Sequence, residues 1–292
     1  MMIEIFKKLI KNNDIRSFKE NIFYKILFRF IRLYYKKQVV VRLYNFKILC
    51  SFLKNEGSHS ILKKCRTDNE SIFEAIDKIK SKKIIFFDCG ANHGVFSLYF
   101  ASKDKSNRVY SFEASPKTFL KLKKNIILNK IDNIKYFNKA VFSESKKILF
   151  FKHDNIDADS KISLNNPTKI KVKTIKLDDF FYKIKNNSNK FQIIIKFDIE
   201  GQDINGLKGS LKIIKKYNPI IVFEFSNNYL TNPENKKFLQ NFLKKNLYEI
   251  YDSRLKKFTL NDLSKILKNN KSKYRTIGDY LLIKKISKKQ KK

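Results

Sequence analysis

The chain has 292 residues, with 64 Lys and Arg against 27 Asp and Glu and a formal net charge of +37. Its 42% apolar and 14% aromatic content can fill a sizeable core, which excludes disordered and fibrous classes. The length fits one large domain, or one domain with a smaller appendage.

Such a charge suggests nucleic acid or anionic lipid, but its distribution argues otherwise. Residues 1–80 carry 18 basic and 8 acidic side chains, residues 81–280 carry 40 and 19, and residues 281–292 carry 6 and none. The excess is 56 Lys against 8 Arg, whereas readers of phosphate and base favour the bidentate fork of Arg. Asn, Ile, Phe and Tyr are abundant, Gly and Pro are scarce and Trp is absent, the profile of AT-rich codon drift. A selected anionic partner is the second reading.

Cys50, Cys65 and Cys89 are odd in number and fall at no metal-binding spacing, and the first residues show no long apolar core before a small-residue cleavage site. Lys or Arg breaks every apolar stretch short of the ~18 residues that a membrane span needs. The expectation is a cytoplasmic, reduced protein whose cysteines are small buried apolar groups.

Residues 1–67 read as an N-terminal basic extension of helix and hairpin. Within residues 22–36, Phe23, Ile26, Leu27, Phe30, Ile31 and Tyr34 recur at helical spacing opposite Lys25, Arg29, Arg32 and Lys36. This predicts a basic amphipathic helix packed on the following domain, with peripheral contact to an anionic membrane as the second reading. Val39, Val40, Val41, Tyr44, Phe46 and Ile48 predict a hairpin over residues 38–53 that turns around Asn45. After a polar loop, a helix over about residues 69–80 opens a main domain spanning 68–285.

In that domain residues 84–87, 109–112, 193–197 and 220–225 are apolar nearly throughout, as strands buried on both faces of a parallel sheet must be. Helices fit between them. One starts at Ser115-Pro116 and turns Phe119, Leu122 and Ile126 inward; another covers about residues 203–216 through Ile204, Leu207, Leu211 and Ile214. Residues 147–175 predict an inserted hairpin around the polar stretch 154–169. Residues 248–251 and 280–283 are expected to close the sheet as an edge pair, and the Lys-rich residues 286–292 form a solvated tail. The alternation predicts an α/β fold with a doubly wound, mostly parallel sheet.

Such sheets bind ligands at the carboxyl ends of their strands. The first strand ends in Asp88-Cys89-Gly90-Ala91-Asn92-His93-Gly94, whose glycines permit a tight turn and close backbone approach. The second glycine of a dinucleotide loop is missing, which argues against NAD. Glu113 ends the second strand, 23 residues after Gly90, where an acid can accept hydrogen bonds from both ribose hydroxyls. A nucleoside ligand is therefore expected. Asp198 and Glu200 lie two apart at the end of the fourth strand, in phase with Lys196, and are expected on one side of the sheet. Asp198 is the leading candidate for a base or substrate-orienting acid and Glu200 the next, while Lys196 is either catalytic or neutralises the pair. Glu224, ending the fifth strand, is a candidate substrate contact. No His joins these acids by pattern, so no metal is expected. His93 has a suitable pKa for proton transfer beside substrate, with loop packing as the other reading. Asn138 to Val141 either flank adenine or are ordinary strand-end residues. Asp178-Asp179 are expected to cap a short helix, and His59 and His153 to lie at the surface.

Asp88-x-Gly-Ala-Asn-x-Gly94, Phe112-Glu113-Ala-Ser-Pro116, Asn125, Asn129, Leu177-Asp178-Asp179 and Lys196-Phe-Asp-Ile-Glu-Gly201 occur in that order. So arranged, residues 68–285 resemble the FkbM-type family of S-adenosylmethionine-dependent methyltransferases. Cys89 and His93 stand where such sequences commonly carry an aliphatic residue. The resemblance implies a Rossmann-like methyltransferase sheet, bound S-adenosyl-L-methionine and, commonly, O-methylation of a sugar or natural-product hydroxyl. The acceptor is then a sugar or glycolipid and a carboxylate base is expected. Asp88, Gly90, Asn92 and Gly94 would serve the methionine end of the cofactor and Glu113 the ribose. Two other readings remain. A nucleic-acid methyltransferase would use the aromatic-Pro tetrapeptide of amino-group methylases, which Asn218-Pro219-Ile220 and Asn166-Pro167-Thr168 do not provide, so no specific nucleic-acid partner is expected. A non-catalytic membrane-surface or scaffold module would keep only the fold.

Overall fold

The computed structural model describes residues 2–34, 38–53, 58–80, 83–152, 161–163, 170–184, 190–269 and 276–285. Helices α1 (Met2–Asn12) and α2 (Ile22–Tyr34) precede strands β1 (Gln38–Leu43) and β2 (Phe46–Ser51), then α3 (His59–Lys64) and α4 (Glu70–Ile79). Next come β3 (Ile84–Cys89), α5 (Val95–Lys103), β4 (Arg108–Phe112), α6 (Pro116–Asn129) and β5 (Ile134–Phe137). Short strands β6 (Ala140–Val141), β7 (Ile148–Lys152), β8 (Lys161–Ser163) and β9 (Ile170–Ile175) lead to α7 (Leu177–Lys183). Then follow β10 (Gln192–Phe197), α8 (Asp203–Lys208), α9 (Leu211–Tyr217), β11 (Ile220–Ser226), α10 (Asn227–Thr231) and α11 (Pro233–Asn246). The remaining elements are β12 (Tyr248–Tyr251), β13 (Lys257–Phe258), α12 (Leu260–Asn269) and β14 (Thr276–Lys284). The predicted tail at 286–292 and most of the predicted polar stretch 154–169 lie outside the described residues. The alternation of strands and helices is the predicted α/β one.

Two compact units emerge. The first comprises Met1–Glu70, Ala91–Lys139 and Ile148–Val172. Here β1 and β2 form the predicted antiparallel hairpin, and the two-residue turn places Tyr44 in the left-handed region at φ 53°. β4 and β5 run parallel, with Val109 opposite Ile134 and Phe112 opposite Phe137. Ser115 caps α6 as predicted: its hydroxyl accepts the Thr118 N–H at 3.3 Å, and Pro116 takes the first helical position. Two asparagines of α6 bind the exposed edge of β2. Asn129 Oδ1 accepts from Lys47 N and Asn129 Nδ2 donates to Lys47 O, both at 2.6 Å, while Asn125 Oδ1 accepts from Leu49 N at 2.9 Å. An edge strand with unpaired backbone groups is thus satisfied by carboxamides instead of another strand.

Helix α2 corrects an expectation. Tyr24, Leu27, Phe28 and Ile31 are buried, whereas Phe23, Ile26 and Phe30, predicted to face inward, are exposed. Leu27 and Ile31 are buried as predicted, but the buried face is turned toward Tyr24 and Phe28 and away from Phe23, Ile26 and Phe30. Tyr24 stacks on Phe6 and Phe18, each at 5.5 Å between centroids, and its hydroxyl donates to Leu62 O at 2.7 Å; Phe28 stacks on Phe52. An aromatic layer with a buried, satisfied hydroxyl outweighs aliphatic spacing alone.

The second unit comprises Ser71–Gly90, Ala140–Lys147 and Lys173–Lys292. Its strand order is β13-β12-β14-β11-β10-β3. β3, β10 and β11 are parallel, while β14 runs antiparallel to β11 and β12 antiparallel to β14. All six residues of β3 are buried, which only a strand covered on both faces achieves. Phe86, Phe87, Phe197, Phe223 and Phe225 build the core of this unit. β12 and β14 do pair, but β14 is interior and β13 takes the edge beyond β12. The helix predicted over 203–216 breaks into α8 and α9 at Gly209-Ser210. A Cβ on Gly209 would lie 2.2 Å from the Phe142 carbonyl oxygen, so backbone contact with the residues after β6 interrupts the periodicity. No helix among the described residues is long and apolar enough to cross a membrane.

Candidate active site

The loop after β3 begins in the second unit, where Gly90 has φ +79°. A Cβ there would meet the Asp198 carbonyl oxygen at 1.8 Å, so residue 90 is glycine because the backbone after β10 passes against it. This reason is internal to the fold. A bulky residue at 90 would displace that backbone before touching any ligand. The loop continues in the first unit, where Ala91 N donates to Phe112 O at 3.0 Å and Gly94 N closes a turn onto Ala91 O at 2.8 Å. Gly94, at φ +87°, faces Leu122 Cδ1, 2.6 Å from where a Cβ would stand.

Glu113 is buried just beyond β4. Its Oε2 accepts the Asn92 N–H at 2.8 Å and its Oε1 the Ser115 N–H at 2.9 Å, so one carboxylate ties the loop to the start of α6. Asn138 Nδ2 donates to the carbonyls of Glu113 and Ala114 at 2.8 and 3.0 Å, a backbone-holding role for one of the strand-end residues. Asn92, left-handed at φ 50°, keeps its Oδ1 buried with no hydrogen-bond partner. His93 is also buried, and its carbonyl accepts from Asn125 Nδ2 at 2.8 Å, a loop-packing arrangement.

In the second unit the parallel register sets Lys196 beside Asp88. Lys196 Nζ donates to the Gly90 carbonyl at 3.0 Å and contacts Asp198 Oδ2 at 2.9 Å and Asp88 Oδ1 at 3.7 Å. Burial alone would lower its pKa, but Asp198, Asp88 and Asp279 more than offset this and raise it, so the ammonium stays charged. Asp198 lies one residue beyond β10, with its N–H still donating to Cys89 O at 3.2 Å. Glu200 does not continue the strand phase. The strand ends at Phe197 and Glu200 adopts φ 52°, so strand alternation no longer sets its direction. Glu224 lies opposite Asp279 across the β11–β14 pairing. Burial, then the charges of Asp198, Asp203, Asp279 and Glu200, push its carboxyl up to about 9, a direction that favours the protonated form. Among the described residues no group of three or more His, Cys, Asp or Glu is arranged to hold a metal ion.

A family model described as the Methyltransferase FkbM domain matches residues 88–250, more than half of the chain and every one of these positions except Asp279. The chain belongs to the FkbM methyltransferase family. Its fold is the Rossmann-like α/β fold of these enzymes, and the family is S-adenosylmethionine-dependent. Among solved structures, methyltransferase FkbM from Methylobacillus flagellatus KT is 15% identical with a TM-score of 0.42, over 77% of this chain and 52% of that one. This chain thus spans about half the length of that protein. An rRNA methylase from Streptococcus thermophilus is 10% identical with a TM-score of 0.43, over 76% of this chain and 98% of that one. M. jannaschii TYW2 in complex with AdoMet is 12% identical with a TM-score of 0.40, over 85% and 84%. No curated protein matches.

Within this FkbM domain, sequence reasoning missed Asp203 and Tyr229. The Tyr229 hydroxyl donates to Asp203 Oδ2 at 2.6 Å, while Asp203 Oδ1 accepts the Ile199 N–H at 2.8 Å. Asp203 therefore pins the 198–202 turn from its far side. Burial raises its pKa to about 6, against the lowering effect of the Tyr229 and Ile199 hydrogen bonds. A helix-opening acid after Gly201 was the only local signal for this role. Ser226, at the end of β11, has a buried hydroxyl oxygen with no hydrogen-bond partner and was also missed. Asp178 does not cap its own helix. It accepts from Lys212 N at 3.1 Å and Ile213 N at 3.0 Å, at the start of α9, and Asp179 accepts from Ser145 Oγ. His59 is buried beneath Phe28 and not at the surface, because Ser51 O lies 3.3 Å from its Nδ1 and supplies a polar partner inside. His153 lies outside the described residues. Cys50, Cys65 and Cys89 are free and buried, as expected.

Proposed function

We propose that this chain is an S-adenosylmethionine-dependent O-methyltransferase acting on a sugar hydroxyl of a glycan or glycolipid. When bound, S-adenosylmethionine supplies a methyl carbon carried on a positively charged sulfur. Asp88, Gly90, Asn92 and Gly94 are the proposed holders of its methionine end, and Glu113 of its ribose. The unpartnered buried Oδ1 of Asn92 supports this fit, since a ligand N–H or O–H is what such an acceptor lacks. Glu113 is aimed by two backbone N–H groups and needs no rotamer search on binding.

The reaction type is read from two acids in the second unit: Asp198, partly exposed and held by Lys196 at 2.9 Å, is suited to accept, while Glu224, opposite Asp279 and pushed up by burial and neighbouring carboxylates, is suited to donate. A hydroxyl is itself both donor and acceptor, so this pair suits it. Asp198 takes the proton the hydroxyl loses. Glu224 orients the sugar by donation. Lys196, kept cationic by Asp198 and Asp88, holds Asp198 in place in the neutralising role, while Glu200 is a further orienting carboxylate from its turn. His93 is assigned to packing the loop, where its carbonyl accepts from Asn125 Nδ2.

Three measurements test this, two on the purified protein and one on a deletion strain. Calorimetry should give S-adenosylhomocysteine binding that Glu113→Ala weakens about a hundredfold, because two backbone donors lose their partner with the ligand's. Asp198→Asn should leave that binding unchanged and lower the transfer rate on a sugar acceptor by about 100-fold or more. Surface glycans of a deletion strain should be lighter by one methyl. Absence of cofactor binding sinks the cofactor assignment, an unimpaired Asp198→Asn variant sinks the base, and methyl incorporation into RNA sinks the acceptor class.

A further inference from the structure

The stripe of α2 that the core leaves bare is more apolar than a free surface needs. Ile22, Phe23, Ile26, Phe30 and Leu33 are each between 49% and 72% exposed. At 3.6 residues per turn they fall within about 100° of arc, so they form one continuous face and not scattered singles. Lys25, Arg29 and Arg32 occupy one flank of this face, between it and the buried side, and α2 contains no acidic residue. Lys25 also reaches Glu20, an exposed residue before the helix, at 3.5 Å. The opposite stripe already has its partners: Tyr24 and Phe28 pack on Phe6, Phe18 and Phe52, so the bare face is not required for folding. The helix starts firmly, with Asn21 Oδ1 accepting the Tyr24 N–H at 2.9 Å.

We propose that α2 lies in the plane of an anionic lipid surface, with the Ile22–Leu33 face inserted at the headgroup boundary and Lys25, Arg29 and Arg32 against lipid phosphates. A 13-residue helix is about 20 Å long, too short to span, and an amphipathic helix with basic flanks is the form that lies on a membrane. Charge complementarity selects lipid over a second copy of the chain. In an antiparallel two-fold pairing through this face, the cationic flank of one copy would oppose that of the other with no carboxylate within either helix to relieve it. An anionic leaflet attracts the same flank, and the net charge of +37 adds to the attraction at long range. The inference is independent of the acceptor, since it rests on α2 alone.

The test uses the full chain and sedimentation with vesicles. Wild type should pellet with phosphatidylcholine vesicles containing about 30% phosphatidylglycerol, far less with pure phosphatidylcholine, and less at about 0.5 M salt than at 0.1 M. Phe23→Glu/Phe30→Glu should lower the partition coefficient at least about tenfold, Lys25→Glu/Arg29→Glu by a similar factor, and the uncharged Phe30→Ser by about threefold. All three should keep the wild-type thermal midpoint, since every residue changed is exposed. Failure of wild type to pellet with the anionic vesicles overturns the proposal. So does equal pelleting by Phe23→Glu/Phe30→Glu and wild type, which would mean diffuse adsorption of a basic protein. A wild-type dimer that the same variant splits, with vesicle binding unaltered, assigns the face to a second copy instead.

Discussion

Glu113 and Glu224 are both glutamates near the carboxyl ends of strands in a strongly cationic chain, yet their surroundings are opposite. Glu113, in the first unit, is met by two backbone N–H groups at 2.8 and 2.9 Å. Glu224, in the second, meets burial and the charges of Asp198, Asp203, Asp279 and Glu200, and its pKa rises to about 9. An excess of 37 positive charges neutralises neither, because solvated lysines are screened within about 10 Å while buried dipoles and carboxylates at contact are not. Immediate surroundings set what each acid can do: two backbone donors fix the first as an acceptor, and burial among carboxylates favours the protonated form of the second.

The largest expected effect comes at the residue where the loop leaves β3. Gly90→Ala combines φ +79° with a clash against the Asp198 carbonyl, and should destabilise the protein by about 3–5 kcal/mol in urea unfolding. A cost under about 1 kcal/mol would show that the Asp198 backbone moves freely and that the two acids' surroundings are less rigid than described. Next, Glu113→Ala should cost about 2–4 kcal/mol by leaving the Asn92 and Ser115 N–H groups unpartnered, measured by the same unfolding. A near-neutral result would make Glu113 no better held than a surface acid.

Glu224→Gln should give the smallest and most diagnostic change. Its folded pKa lies above the usual 4.5, so folding takes up a proton. The stability this contributes is complete below about pH 4.5 and is lost as pH rises through about 9. Between pH 6 and 8 the wild type should therefore lose about 2–3 kcal/mol that the glutamine variant, which mimics the protonated acid, retains. Parallel urea midpoints for the two proteins across that range would erase the contrast with Glu113.

Features carried by neighbours in the chain were readable without a structure. The Asp88–Gly94 loop, Glu113 before a Ser-Pro cap, the hairpin at β1–β2 and the runs of apolar residues in β3, β10 and β11 all depend on residues within a few positions of each other. Tyr229 and Asp203 stand 26 residues apart, and Asp178 caps a helix 34 and 35 residues later, so no local spacing could announce either. Asn125 and Asn129 were visible as motif residues, but their work, holding β2 by its backbone across 76 and 82 residues, was not.

The sequence by itself determined the parallel α/β plan and the family, because strand period, glycine turns and helix caps are properties of short segments. Tertiary structure alone decided which stripe of α2 is buried, that Gly90 is demanded by the Asp198 carbonyl, that Glu200 leaves strand phase and that Glu224 is enclosed with other acids, which raises its pKa. Each of these depends on what lies across space: a stacked ring, a neighbouring carbonyl, a turn's handedness, or the charges enclosed with an acid away from water.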